Sequence, residues 1–186
     1  MESKIRLYHT GYQEIPQPDI RYGRRNADFG QGFYTTRDEE FARRWAKEKK
    51  GMQVFVNTYD LDLSGLSVLR LDRDEAWFEY IFRNRAGKED IHPDIDVITG
   101  PIANDTLFDT LGILTSGLLP AQKALKLMMI GPSYIQTVLK TEKAASHLVW
   151  ISSEVLPPED LSSCREVFLR EEAAYQTEFA QCLENM

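Results

Sequence analysis

The sequence predicts an α+β fold, and three observations lead there. Strand-like alternations and helical apolar stripes are mixed along the chain, without the regular βαβ succession of a doubly wound parallel sheet. The 186 residues are near the usual size of one domain. Hydrophobic residues make up 42% and charged residues 27%, an ordinary globular balance that excludes a disordered, collagen-like or low-complexity chain.

Residues 4–9 alternate and are β-rich, so they read as a strand. Residues 10–32 carry Gly11, Pro16, Pro18, Gly23, Gly30 and Gly32 and read as a long irregular loop. Loops of that length in compact domains tend to carry function or to be disordered. Tyr12, Tyr22 and Phe29 within it favour function. Residues 33–36 predict a short strand. Thr36 and Glu39 then form a capping box that opens a helix over about 37–50, with Phe41, Ala42, Trp45 and Ala46 on one face. Strands are expected at 52–63 and 66–71, around a turn at Ser64-Gly65. A helix follows at 73–86, its apolar stripe made of Ala76, Trp77, Tyr80 and Ile81. Residues 95–99 predict a buried strand, and helices are expected at about 105–115 and 120–129 with Ser116-Gly117 between them. Asn104 and Asp105 are candidate caps for the first of these. Residues 135–140 and 148–153 read as strands, separated by a short helix at 142–147. Pro157-Pro158 marks a boundary before a long helix at 159–184. This divides the chain into a body over residues 1–153 and an acidic tail over residues 154–186. The tail's imperfect stripe is Val167, Phe168, Ala174, Tyr175, Phe179 and Leu183. That stripe packs on the body or offers a face to a protein partner.

The formal net charge is −7, a poor default for a nucleic-acid binder. Residues 1–50 nevertheless hold 11 basic and 8 acidic side chains, whereas residues 159–186 hold 2 and 7. A positive first quarter can host an anionic small molecule. No apolar run approaches the roughly 18 residues of a membrane span, and no membrane partner is expected. The first ten residues lack the apolar core of a secretory signal. Cys164 and Cys182 fall on one predicted helix, about 27 Å apart at 1.5 Å per residue and beyond disulfide reach. Two unpaired thiols suggest a reducing compartment, hence the cytoplasm. The cysteines and the three histidines fit no zinc-site spacing, so no metal is expected.

The chain has no phosphate-binding G-x-x-x-x-G-K-[ST], no G-x-S-x-G and no H-E-x-x-H. Gly30-Gln31-Gly32 lacks the third glycine of a dinucleotide fingerprint. Four spaced segments remain. They are Leu7-Tyr8-His9-Thr10-Gly11, Asp28-Phe29-Gly30-Gln31-Gly32-Phe33-Tyr34-Thr35-Thr36, Thr99-Gly100-Pro101-Ile102-Ala103-Asn104-Asp105, and the stretch from Gln136 to Ala144. In this order, over residues 7–144, they resemble a bacterial family of unknown function placed in the ADP-ribosyltransferase superfamily. The second segment is the most specific.

The resemblance implies a split, mostly antiparallel β core with flanking helices around an NAD cleft. It implies transfer of ADP-ribose from NAD to an unidentified macromolecular or small-molecule acceptor, with nicotinamide released. It also admits a part in a toxin–antitoxin or effector pair. The superfamily signature is a His on the first strand, a Tyr on the second and usually a Glu on a later one. By position these fall on His9, Tyr34 and Gln136 as the catalytic set. His9 would fix a ribose hydroxyl, Thr10 and Gly11 would meet the nicotinamide amide through their backbone, and Tyr34 would stack on the ring. Gly32 and Thr36 complete the expected NAD-binding set, with Arg24, beside Arg25, against the diphosphate.

Gln136 departs from the commonest pattern. Breaking the bond to nicotinamide passes through an oxocarbenium-like state that a carboxylate stabilises. A neutral amide holds a hydroxyl but supplies no negative charge. A catalytically weak or inactive module binding NAD, ADP-ribose or a protein is therefore the alternative reading. Glu142 is expected at a helix start after Thr141 rather than in the site. Trp45 and Trp77 are expected in the core, His92 on the surface and His147 in packing.

Overall fold

The computed structural model describes residues 3–104 and 119–185. The helix expected at 105–115, the Ser116-Gly117 break and the capping part of Asp105 lie outside the described residues. The first half of the chain holds β1 (Lys4–Gly11), a single 3-10 turn (Ile20–Tyr22), β2 (Phe33–Thr35), α1 (Glu39–Arg44), β3 (Phe55–Asp62), β4 (Val68–Arg70) and α2 (Glu75–Arg85). The second half holds β5 (Val97–Pro101), α3 (Ala121–Met128), β6 (Ile135–Leu139), α4 (Glu142–Ser146), β7 (Leu148–Val155) and α5 (Pro158–Glu184). The fold is α+β, with mostly antiparallel sheets and flanking helices.

The strands form two sheets, ordered β1-β3-β7 and β2-β6-β5-β4. Among the described residues every strand pairing is antiparallel except β4 with β5. The sheets meet at one bridge between Tyr8 and Thr36, where the two residues exchange backbone hydrogen bonds of 2.8 and 3.0 Å. The alternation in β1 buries Ile5 and Leu7 and exposes Lys4 and Arg6. β6 is a central strand of the second sheet, so Gln136 to Leu139 are buried on both faces.

In α2, Trp77, Tyr80, Ile81 and Asn84 are buried. That is the i, i+3, i+4, i+7 spacing of one helix face. Ala76, expected on the stripe, is exposed instead, one position off that face. Trp77 donates its indole N–H to the Pro101 carbonyl at 2.7 Å, which satisfies the polar atom of a fully buried ring. Around it pack Phe29, Tyr80, Ile98, Leu127 and Val138. A second apolar cluster, including Leu7, Phe33, Tyr59, Leu61 and Leu139, lies against the first sheet.

The helix expected over 37–50 is shorter than predicted, and Thr36 is not its cap. Thr36 is still engaged in the strands, donating its hydroxyl to the Ile135 carbonyl at 2.8 Å. The cap passes to Asp38, whose carboxylate accepts the Phe41 N–H at 3.0 Å. The helix stops at Arg44 with Trp45 as its C-cap. Beyond Ala46 the chain runs Lys47-Glu48-Lys49-Lys50, all exposed, with no apolar face to hold a short helix down.

α5 packs on the body. Tyr175 is buried, and Phe179 and Cys182 pack on the cluster around Trp77. Leu161 joins a small cluster with Val54 and Val56. Ala174 and Leu183, expected on the stripe, are exposed. Both cysteines are free. Among the described residues no helix is long and apolar enough to cross a membrane.

Candidate functional site

β2 brings the first and second sheets to one place. Its Tyr34 faces Val138 across the antiparallel ladder, so the two side chains share a face. Gln136 lies two residues from Val138 and projects to the same side. The Tyr8–Thr36 bridge sets the end of β1 beside them. The result is a cleft of about 370 Å³ into which Thr10, Arg24, Tyr34 and Gln136 all reach. These four belong to the residues expected from the sequence.

Gln136 is 6% exposed, and its Oε1 has no hydrogen-bond partner among the described residues. A buried acceptor left unpaired costs about 1–3 kcal/mol. A hydroxyl or amide of a ligand in the cleft would recover that cost.

The Tyr34 hydroxyl is already committed. It donates to the Gly30 carbonyl at 2.6 Å and accepts the Phe29 N–H at 3.0 Å. Burial, reinforced by the nearby Asp28 charge, pushes this phenol well above its usual range, so it stays protonated. Its chemistry toward a ligand is that of a ring rather than of an acid. Thr10 spends its hydroxyl on the Ala42 carbonyl, which ties β1 to α1.

His9 stands behind this wall rather than in the cleft lining. Its Nδ1 lies 2.7 Å from the Tyr34 carbonyl, and its ring packs 4.7 Å from that of Phe33. A carbonyl only accepts, so Nδ1 carries the proton and Nε2 is left as an acceptor. Burial lowers the pKa of His9 below the ordinary histidine value, against the opposing pull of the Tyr34 carbonyl. Gly11, Gly32 and Thr36 also lie outside the lining. A Cβ on Gly32 would stand 2.6 Å from the Leu139 carbonyl oxygen and 2.7 Å from Val138 Cγ1, so glycine is needed for the loop to reach β6. Arg25 turns to a separate polar cavity of about 270 Å³, which it shares with Lys140 and Asp90.

Asp28, Arg44, Trp45, Lys47 and Phe168 also line the cleft and were not expected there. Asp28 is buried, its Oδ1 held by Arg85 Nε at 2.9 Å and a terminal guanidinium nitrogen at 2.7 Å. Its Oδ2 accepts the Ala103 N–H at 2.9 Å. Asn84 donates to the Asp28 carbonyl at 3.1 Å, and the Lys140 amine to the Phe29 carbonyl. Gly30 sits at φ 71° in the same loop, a conformation that favours glycine. Arg44, Trp45 and Lys47 come from the end of α1 and the segment after it, and Phe168 comes from α5. Arg44 is anchored by the Tyr134 hydroxyl at 2.7 Å and by Glu171 at 2.8 Å. Asp28 lay inside the most specific sequence segment. Arg44, Trp45 and Lys47 lay inside a stretch read as one helix, which hid the turn that brings them to the edge of the cleft.

Residues 5–150 match the model of a family described as a protein of unknown function, DUF3990. The chain belongs to that family. No curated protein and no solved structure matches it. The DUF3990 match takes in β1 through the first part of β7, and therefore every cleft residue named above except Phe168. α5 lies beyond it.

Proposed function

We propose that the cleft binds NAD and that the chain is an ADP-ribosyltransferase-type protein, passing ADP-ribose to an acceptor with release of nicotinamide. The observation that carries this reading is a convergence. Thr10, Tyr34 and Gln136, from three strands spread along the sequence, line one cleft, and the buried Oε1 of Gln136 has no partner. In this reading the Tyr34 ring offers its face to nicotinamide, since its hydroxyl is spent on the loop. Gln136 accepts a ribose hydroxyl. Arg24, exposed and without a carboxylate partner among the described residues, opposes the diphosphate. Trp45 and Phe168 supply apolar wall. His9 acts as a positioning residue, holding the backbone of Tyr34 from behind.

The neutral side chain of Gln136 favours a second reading, in which the site binds NAD or ADP-ribose without turnover. One experiment separates them. The protein is titrated with NAD by calorimetry, and nicotinamide release is followed by chromatography in the same samples. Binding is expected, with slow or no release. Gln136→Glu places a carboxylate where positive charge develops and is expected to raise release by about tenfold or more. Absence of NAD binding by both folded forms would overturn the proposal.

A further inference from the structure

A groove of about 620 Å³ runs from the cleft between residues 44–50 and α5. It shares Arg44, Lys47 and Phe168 with the cleft, so the two are one continuous surface. Its lining holds four cationic side chains, Arg44, Lys47, Lys50 and Arg165, on a chain of net charge −7. Lys47, Lys50 and Arg165 are exposed and have no carboxylate partner among the described residues, and Glu48 is the single acidic residue of the lining. Between the charges lies an apolar strip of Ala46, Leu161, Phe168 and Leu169. Leu169 is 50% exposed, a large apolar side chain left facing solvent.

Volume points the same way. The cleft alone, at about 370 Å³, is near the lower end of the range for small-molecule sites, whereas the groove adds about 620 Å³. A dinucleotide has two parts of different chemistry joined by a diphosphate. One is a ring that stacks and an amide that hydrogen-bonds, which suits Tyr34 and Gln136. The other is a second flat base on an anionic arm, which suits an apolar strip edged with lysine and arginine.

We infer that the groove between residues 44–50 and α5 holds the adenosine-diphosphate arm of the dinucleotide, with Phe168 at the junction of the two parts. This rests on the NAD reading of the cleft and deepens it. It makes α5, which lies outside the family match, part of the ligand site. It also gives the diphosphate to Lys47, Lys50 and Arg165 together with Arg24.

The test is a calorimetric titration of the full chain with NAD and, separately, with ADP, which carries the arm but no nicotinamide. Wild type is compared with the double charge reversal Lys50→Glu, Arg165→Glu. Both side chains are exposed and have no carboxylate partner among the described residues, so the fold is expected to be retained, and Arg165→Lys serves as the conservative control. Wild type is expected to bind both ligands, more weakly as salt rises. The double variant is expected to lose about tenfold or more in affinity for both, with Arg165→Lys close to wild type. If wild type binds NAD and the double variant binds equally well, the groove assignment falls and the cleft reading stands. If wild type binds ADP through the groove charges but not NAD, the cleft reading falls and the groove stands. If wild type binds neither, both fall.

Discussion

Asp28 and Arg85 form a buried ion pair under the cleft wall, with side chains 7% and 10% exposed. The two remaining demands of the carboxylate are met by the second guanidinium contact and by the Ala103 N–H. Taking away one partner of such a pair leaves an uncompensated charge, which costs about 3–5 kcal/mol. Arg85→Ala is expected to lower the stability measured by urea unfolding by that amount. Adding Asp28→Asn should recover part of the loss, because the stranded charge is removed. The pair joins residues 57 positions apart, so no local pattern revealed it. Thr10, Arg24, Tyr34 and Gln136 were expected from the family resemblance, and the fold brings the four to one cleft. The position of His9 behind the wall was not legible, because alternation along β1 places a side chain on a face without saying what covers that face.

At the scale of elements, Asp96 is the joint between three of them. Its carboxylate accepts the Ser67 N–H just before β4 at 2.9 Å, the hydroxyl of Thr141, the cap of α4, at 2.7 Å, and the Lys143 amine of α4 at 3.0 Å. Burial alone would raise its pKa. The bonds from Ser67, Thr141 and Lys143 outweigh burial and hold the carboxyl well below the ordinary range. A carboxyl depressed in the folded state stabilises the fold above its unfolded pKa of about 3.9, and that contribution is lost as pH falls toward the folded value. Wild type should therefore exceed Asp96→Asn in urea stability at pH 7, and the gap should narrow below about pH 4. α2 was legible from its apolar periodicity and α4 from the helix start after Thr141. α1 was misread because the hydroxyl of Thr36, a good local cap, is taken by a carbonyl 99 residues away. A sequence window cannot see that competition.

At the scale of the whole molecule, α5 is fastened to the two-sheet body at several points along its length. Tyr175 is 1% exposed and lies against Gly131, where a Cβ would stand 3.0 Å from its ring. Glu171 holds Arg44 of α1. Truncating a fully buried aromatic costs about 3–5 kcal/mol. Tyr175→Ala is expected to show that loss in urea. Far-ultraviolet dichroism and tryptophan fluorescence should still report one coincident transition if α5 and the body unfold together. The mixed α+β character was legible from the irregular order of elements. The division into two sheets was not, since it depends on β3 taking β1 and β7 from opposite ends of the chain and on β6 taking the distant β2 beside β5.

The loop that closes the cleft is fixed from several sides before any ligand arrives. Asp28 is clasped by Arg85 and Ala103, Phe29 by Lys140 and Tyr34, Gly30 by the Tyr34 hydroxyl, and Gln31 by the Arg21 and Gly23 carbonyls at 2.6 and 3.2 Å. Its conformational entropy is surrendered during folding rather than on association. An incoming molecule meets a rigid rim, so its affinity is not diminished by having to order this segment. Association can then proceed as a single bimolecular step, its observed rate rising in proportion to ligand concentration rather than levelling off at the speed of a loop closure.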